Sequence, residues 1–105
     1  ISFLNLPSNI KPSYQYFVIR INAKKFGIDR DAICQNFKKY NVYTRKYFYP
    51  LCSNYPCYKY LSSADPKKLP IANIVVKEVL SLPFYGNLSA VSVKKICNIL
   101  KSFQS

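Results

Sequence analysis

From Tyr14 to Ile21 the side chains alternate. Tyr16, Val18 and Arg20 fall on one side, and Phe17, Ile19 and Ile21 on the other, which predicts a strand. After Gly27 the period changes. Asp29 can cap free backbone N–H groups, and Ile28 with Ile33 fits a hydrophobic staple. Ile33, Phe37 and Tyr40 then recur on one helical face, with Lys38 and Lys39 where a cation suits the helix dipole. Asn41 fits a left-handed C-cap. Val42 to Tyr49, rich in β-branched and aromatic residues, predicts a second strand that Pro50 ends. Residues 51–68 read as a long loop, with Pro56, Ser62-Ser63 and Asp65-Pro66; loops of that length are often functional or docked. Leu69-Pro70 opens a second helix carried by Ile71, Ile74 and Val75 to about Val79. A short strand over Val79–Phe84 and a turn at Tyr85-Gly86-Asn87 follow. Ser89 caps a last helix whose apolar stripe is Val93, Ile96, Cys97 and Leu100.

Helices with a single apolar face must cover a sheet. The order strand, helix, strand, loop, helix, short strand, helix therefore predicts an α/β (α+β) two-layer unit: a small sheet of about three strands with helices on one face. The other sheet face, with Phe17, Ile19 and Ile21, is read as docking on another domain. Residues 1–13, with Pro7 and Pro12, read as a connector, and 14–105 as the domain proper.

Composition narrows the class. At 105 residues, 50% apolar and 16% aromatic, the chain can bury one modest core and is far from a disordered composition. No apolar stretch approaches the ~20 residues that cross a bilayer. The chain opens on Ile1 and contains no Met, so it reads as a fragment. Sixteen Lys and Arg against four Asp and Glu give a net charge of +12. That balance admits a nucleic-acid or anionic-membrane surface. The cations are dispersed, however, in pairs at Lys24-Lys25, Lys38-Lys39, Lys67-Lys68 and Lys94-Lys95. A Lys-, Asn-, Ile- and Tyr-rich chain is also what an AT-rich genome produces without selection for binding.

The four cysteines are Cys34, Cys52, Cys57 and Cys97, and there is no His. A four-thiolate zinc site would need Cys34 and Cys97, both on predicted helices rather than in knuckles. A nucleophilic Cys would want a His base. Reduced thiols of a cytoplasmic protein are the expectation, with no metal site.

Several strings, in order and at plausible spacing, carry a resemblance. They are Tyr16-Phe17-Val18-Ile19-Arg20, Ile28-Asp29-Arg30-Asp31, Tyr40 through Leu51, Leu69-Pro70-Ile71-Ala72, Val79 through Tyr85, and Leu88-Ser89 to Leu100. Together they resemble the C-terminal domain of the DegT/DnrJ/EryC1/StrS family, pyridoxal-phosphate (PLP) aminotransferases of fold type I. The segment Arg45-Lys46-Tyr47-Phe48-Tyr49-Pro50 resembles members with an Arg-x-Tyr-Phe-x-Pro strand end; many relatives carry His at the position of Tyr47.

The resemblance implies a parent enzyme that aminates a nucleotide-linked keto-deoxysugar with glutamate, acting as a homodimer in the cytoplasm and feeding polysaccharide or related sugars. It implies that PLP and its Schiff-base lysine belong to a missing large N-terminal domain, so that this chain alone holds no catalytic residue and is inert. It also implies an exposed apolar patch where that domain docks. Tyr47 is the implied substrate-binding residue, with Arg45 and Tyr49 as neighbours: a phenol for a sugar hydroxyl or diphosphate oxygen, a guanidinium for phosphate. Two other readings compete. One is a basic nucleic-acid-binding α/β module using exposed aromatics to stack on bases. The other is a regulatory or interaction domain that keeps the fold without the chemistry.

Overall fold

The computed structural model describes residues 1–104. Its elements are β1 (Ser2–Phe3), β2 (Phe17–Arg20), α1 (Ala23–Phe26), α2 (Arg30–Lys38), α3 (Pro70–Glu78), β3 (Val79–Leu82) and α4 (Ala90–Ser102). Three short 3-10 turns, Cys52–Asn54, Ser62–Ala64 and Pro66–Lys68, punctuate the loop before α3.

The sheet is antiparallel in the order β1-β2-β3. Ile19 faces Leu80 and Phe17 faces Leu82 across β2 and β3, so these four share one face of the pleat. α2 and α4 cover that face. Ile33, Cys34 and Phe37 of α2 and Leu100 of α4 close a core with Ile19, Ile21, Phe26 and Leu80. Phe37, wholly buried, meets Phe103 edge-on at 5.2 Å between ring centres. The architecture is the expected small mixed α/β layer pair.

The pairing differs from expectation in three places. The face with Phe17, Ile19 and Ile21 is not a docking face: Ile19 and Ile21 lie under the helices. Tyr14 to Tyr16 drop out of the first strand: Tyr14 adopts φ 53°, and pairing begins at Phe17, opposite Leu82 at the end of β3. Val42 to Tyr49 is not a strand. It meets the sheet at one bridge, Arg45 to Ser81, and then turns, with the Tyr49 N–H donating to the Lys46 carbonyl at 2.6 Å. Its aromatic composition favoured a strand, but such preference records a fit to a half-buried pleat, and only one residue finds that fit. The third strand is instead β1, inside the expected connector, where Ser2 pairs with Arg20 and Phe3 with Ile19.

The caps follow local chemistry. The Asp29 carboxylate accepts from the Ala32 N–H at 2.8 Å and Ser89 Oγ from the Ser92 N–H at 3.1 Å. Asn41 takes φ 57°, as a left-handed terminator requires. The unforeseen α1 is capped by Asn22 and stopped by Gly27 at φ 104°, a conformation only glycine adopts at low cost. The helix stripes shift slightly. In α4 Ile96, Ile99 and Leu100 face the core while Val93 and Cys97 are exposed; in α3 Val76 is buried and Ile71 and Ile74 are exposed.

Candidate functional site

The Arg45–Pro50 strap leaves the sheet beside β3. Arg45 exchanges two main-chain hydrogen bonds with Ser81: its N–H donates to the Ser81 carbonyl at 3.0 Å, and the Ser81 N–H donates back at 2.7 Å. Its side chain is exposed. Arg45 and Tyr47 line a shallow pocket of ≈ 200 Å³ with Gln15, Tyr16, Ser81 and Phe84. Tyr47 stands edge-on to Tyr16 at 5.1 Å and stacks on Phe48 at 4.9 Å, and Phe48 closes the triad edge-on to Tyr16 at 5.9 Å. The pocket thus combines a guanidinium, a phenol and aromatic walls, a set suited to a ring attached to an anionic group.

Tyr49, the third residue singled out from sequence, lies elsewhere. It shares a surface hollow with Asp29, Arg30, Asp31 and Lys77. Its ring is covered by two cations, the Arg30 guanidinium at 5.3 Å and the Lys46 ammonium at 5.9 Å. The structure therefore unites Arg45 with Tyr47 and separates both from Tyr49.

Arg30 escaped sequence reasoning. It is only 3% exposed. Its Nη1 donates to the carbonyls of Val76 (3.2 Å) and Val79 (3.0 Å), and its Nε donates to Asp31 Oδ1 at 2.7 Å. The Val76 carbonyl belongs to the last turn of α3, whose acceptors lack helical partners. Val79 points its main chain the same way as Ser81, two residues on, so Arg30 and Arg45 satisfy the same edge of β3. Only the polar run at Asp29-Arg30-Asp31 hinted at this; nothing local marks a buried arginine. Asp31 Oδ1 also accepts from the Lys46 ammonium at 2.6 Å. That bond, helped by the Arg30 charge and opposed by slight burial, holds the Asp31 carboxyl below the usual carboxylate range.

Among the described residues Lys46 is half-buried and ion-paired, and every other lysine is exposed. An amine that is to react as a nucleophile needs a desolvated or charge-crowded setting to lose its proton.

All four cysteines are free. Cys34 is buried and accepts a hydrogen bond from Thr44 Oγ1 at 3.3 Å, while Cys52, Cys57 and Cys97 are exposed. No helix among the described residues is long and apolar enough to cross a membrane. Phe3, Leu4, Leu6, Ile10, Tyr14 and Phe17 are all exposed along one groove of ≈ 600 Å³.

Similarity to known proteins follows the same elements. The chain is 46% identical over 92 residues to a dTDP-4-amino-4,6-dideoxy-D-glucose transaminase of Escherichia coli, covering 88% of this chain and 24% of that protein. It is 28% identical over 80 residues to a GDP-perosamine synthase of Vibrio cholerae, covering 76% of this chain and 21% of that protein. It thus spans about a quarter of the length of these relatives. A solved structure, a DegT DnrJ EryC1 StrS aminotransferase from Brucella abortus, superposes with a TM-score of 0.82 over 98% of this chain and 26% of that one. At 21% identity that likeness speaks for the fold alone. Residues 2–101 match the sequence profile of the DegT/DnrJ/EryC1/StrS aminotransferase family, and the chain belongs to that family.

Proposed function

We propose that this chain is the small C-terminal domain of a PLP-dependent aminotransferase acting on a nucleotide-linked keto-deoxysugar. Glutamate gives up its amino group and leaves as 2-oxoglutarate; the sugar ketone becomes an amine that enters polysaccharide or related sugar synthesis. The enzyme works as a cytoplasmic homodimer. The observation that carries this reading is the 46% identity to a dTDP-sugar transaminase, sustained across 88% of the chain. PLP and its lysine belong to a part of the enzyme outside this chain, and the chain alone is inert.

Arg45 and Tyr47 are the substrate-facing residues of this domain. The Arg45 guanidinium pairs with a diphosphate oxygen, and the Tyr47 hydroxyl donates to the sugar or phosphate. The aromatic triad behind them, Tyr16, Tyr47 and Phe48, supplies a face for a planar ring. Tyr49 contributes through packing, from beneath the two cations.

The test is turnover of a dTDP-linked 4-keto-6-deoxyhexose by the full-length protein supplied with PLP and glutamate, followed as 2-oxoglutarate. The expected result is product from the full-length protein and none from residues 1–105 alone. Absence of product from the full-length protein, with salt-steep binding of the chain to random oligonucleotides, would overturn the enzyme reading in favour of a nucleic-acid module.

A further inference from the structure

The strap that carries Arg45 and Tyr47 is weakly built into the sheet. Arg45 makes the single bridge to β3, and the chain turns immediately afterwards. Lys46, between the two pocket residues, is tied in the opposite direction, to Asp31 in the first turn of α2. Asp31 Oδ1 is shared with Arg30, whose buried guanidinium is fixed by the carbonyls of Val76 and Val79. The two cations meet again over the ring of Tyr49. One carboxylate therefore joins a rigid buried anchor to the middle of a loosely paired segment. With Asp31 60% exposed, its ion pairs with Arg30 and Lys46 add little to folding stability, yet they tie the strap at one point.

We propose that Arg30, Asp31 and Lys46 form a positioning clamp: by tethering Lys46 to the start of α2, it holds the flanking Arg45 and Tyr47 in the pocket orientation. The role in ligand binding rests on the reading that this pocket meets the sugar nucleotide. None of the three clamp residues lines the pocket. They act through the strap. An arginine at position 46 can keep the pairing with Asp31, whereas a neutral side chain at 31 removes the charge that holds Lys46 and leaves Arg30 on its two carbonyls.

Amide hydrogen exchange on the 105-residue chain tests the clamp directly. In Asp31→Asn, the Arg45 and Tyr49 amides should exchange about three- to fivefold faster, with Leu80 unchanged as evidence of an intact sheet. Lys46→Arg should stay within twofold of the parent sequence. Unchanged exchange at Tyr49 in Asp31→Asn overturns the clamp. In the full-length protein, Asp31→Asn should raise KM for the nucleotide sugar about three- to fivefold while kcat stays within twofold, as should Tyr47→Ala. A raised KM in Tyr47→Ala but not in Asp31→Asn overturns the positioning role alone. No change in either overturns the pocket assignment, and the ligand-positioning role with it.

Discussion

Replacing Arg30 with methionine isolates what its guanidinium contributes, because methionine fills much of the same space and donates nothing. Two carbonyls, of Val76 and Val79, then lose their donors. These acceptors belong to the backbone and cannot be mutated away, so the substitution differs from exchanging a whole ion pair for apolar groups. Each hydrogen bond to a charged group contributes about 1.5–3 kcal/mol, so the two amount to about 3–6 kcal/mol. The variant is spared the cost of desolvating a guanidinium, which is itself several kcal/mol before its partners compensate. What remains is mainly two buried acceptors left unsatisfied, at about 1–3 kcal/mol each, for an expected loss of about 3 kcal/mol. Folding stability of single domains is about 5–15 kcal/mol, so this is a large share. With a urea dependence of about 1.5 kcal/mol per molar, the midpoint should fall by about 2 M. Circular dichroism of the helices reads it. Arg30→Lys should recover less than half, since one ammonium cannot span both carbonyls and Asp31. A fall of less than about 0.3 M at unchanged slope would refute the reasoning, by showing that those carbonyls find other partners without cost.

Other expectations follow from the same structure. Phe37→Ala removes a wholly buried ring that meets Phe103 and should cost about 3–5 kcal/mol, enough to leave much of the chain unfolded at 37 °C by thermal melting. Ser89→Ala deletes the cap of α4 and should cost about 1 kcal/mol, read as a small drop in urea midpoint at unchanged slope. Asp31 has a folded-state pKa below its unfolded value of about 3.9, so its contribution is present above that value and lost as pH falls through the folded pKa. Because its side chain is 60% exposed, that contribution is at most about 1 kcal/mol. The stability gap between the parent sequence and Asp31→Asn should therefore be constant from pH 7 to 5 and close below pH 4; a gap that persists at pH 2.5 would show that its origin is not the charge.

Local signals predicted local outcomes. Asp29, Ser89 and Asn41 were readable because a cap needs only a side chain and the turn beside it. The core stripe of α2 was readable because Ile33 and Phe37 recur at helical spacing. Pairing was harder. Val42–Tyr49 has strand composition, yet pairing depends on what lies across from it, and β3 is short and meets it only at Ser81. Conversely, Ser2 and Phe3 carry little strand signal and pair because β2 offers them a free edge. The same reason divided the candidate site. Arg45, Tyr47 and Tyr49 alternate in sequence, which in a strand would put them on one face, but the turn after Lys46 sends Tyr49 to the far side. Arg30 was invisible because its partners are backbone carbonyls more than forty positions away.

The brevity of β1 has a consequence for how the chain behaves at high concentration. β1 covers only Ile19 and Arg20 of β2, so Phe17 and Val18 have no strand partner on that side. An open edge beside exposed Phe3 and Phe17 is a template on which another copy can add a strand. What opposes this is the net charge of +12, a repulsion that acts over about 8 Å at physiological ionic strength and about 3 Å in molar salt. Colloidal stability of this chain thus rests on counter-ion concentration more than on a shielded sheet. It should remain dispersed in dilute buffer and turn turbid as salt rises, the reverse of a chain salted in by screening attractive charge contacts.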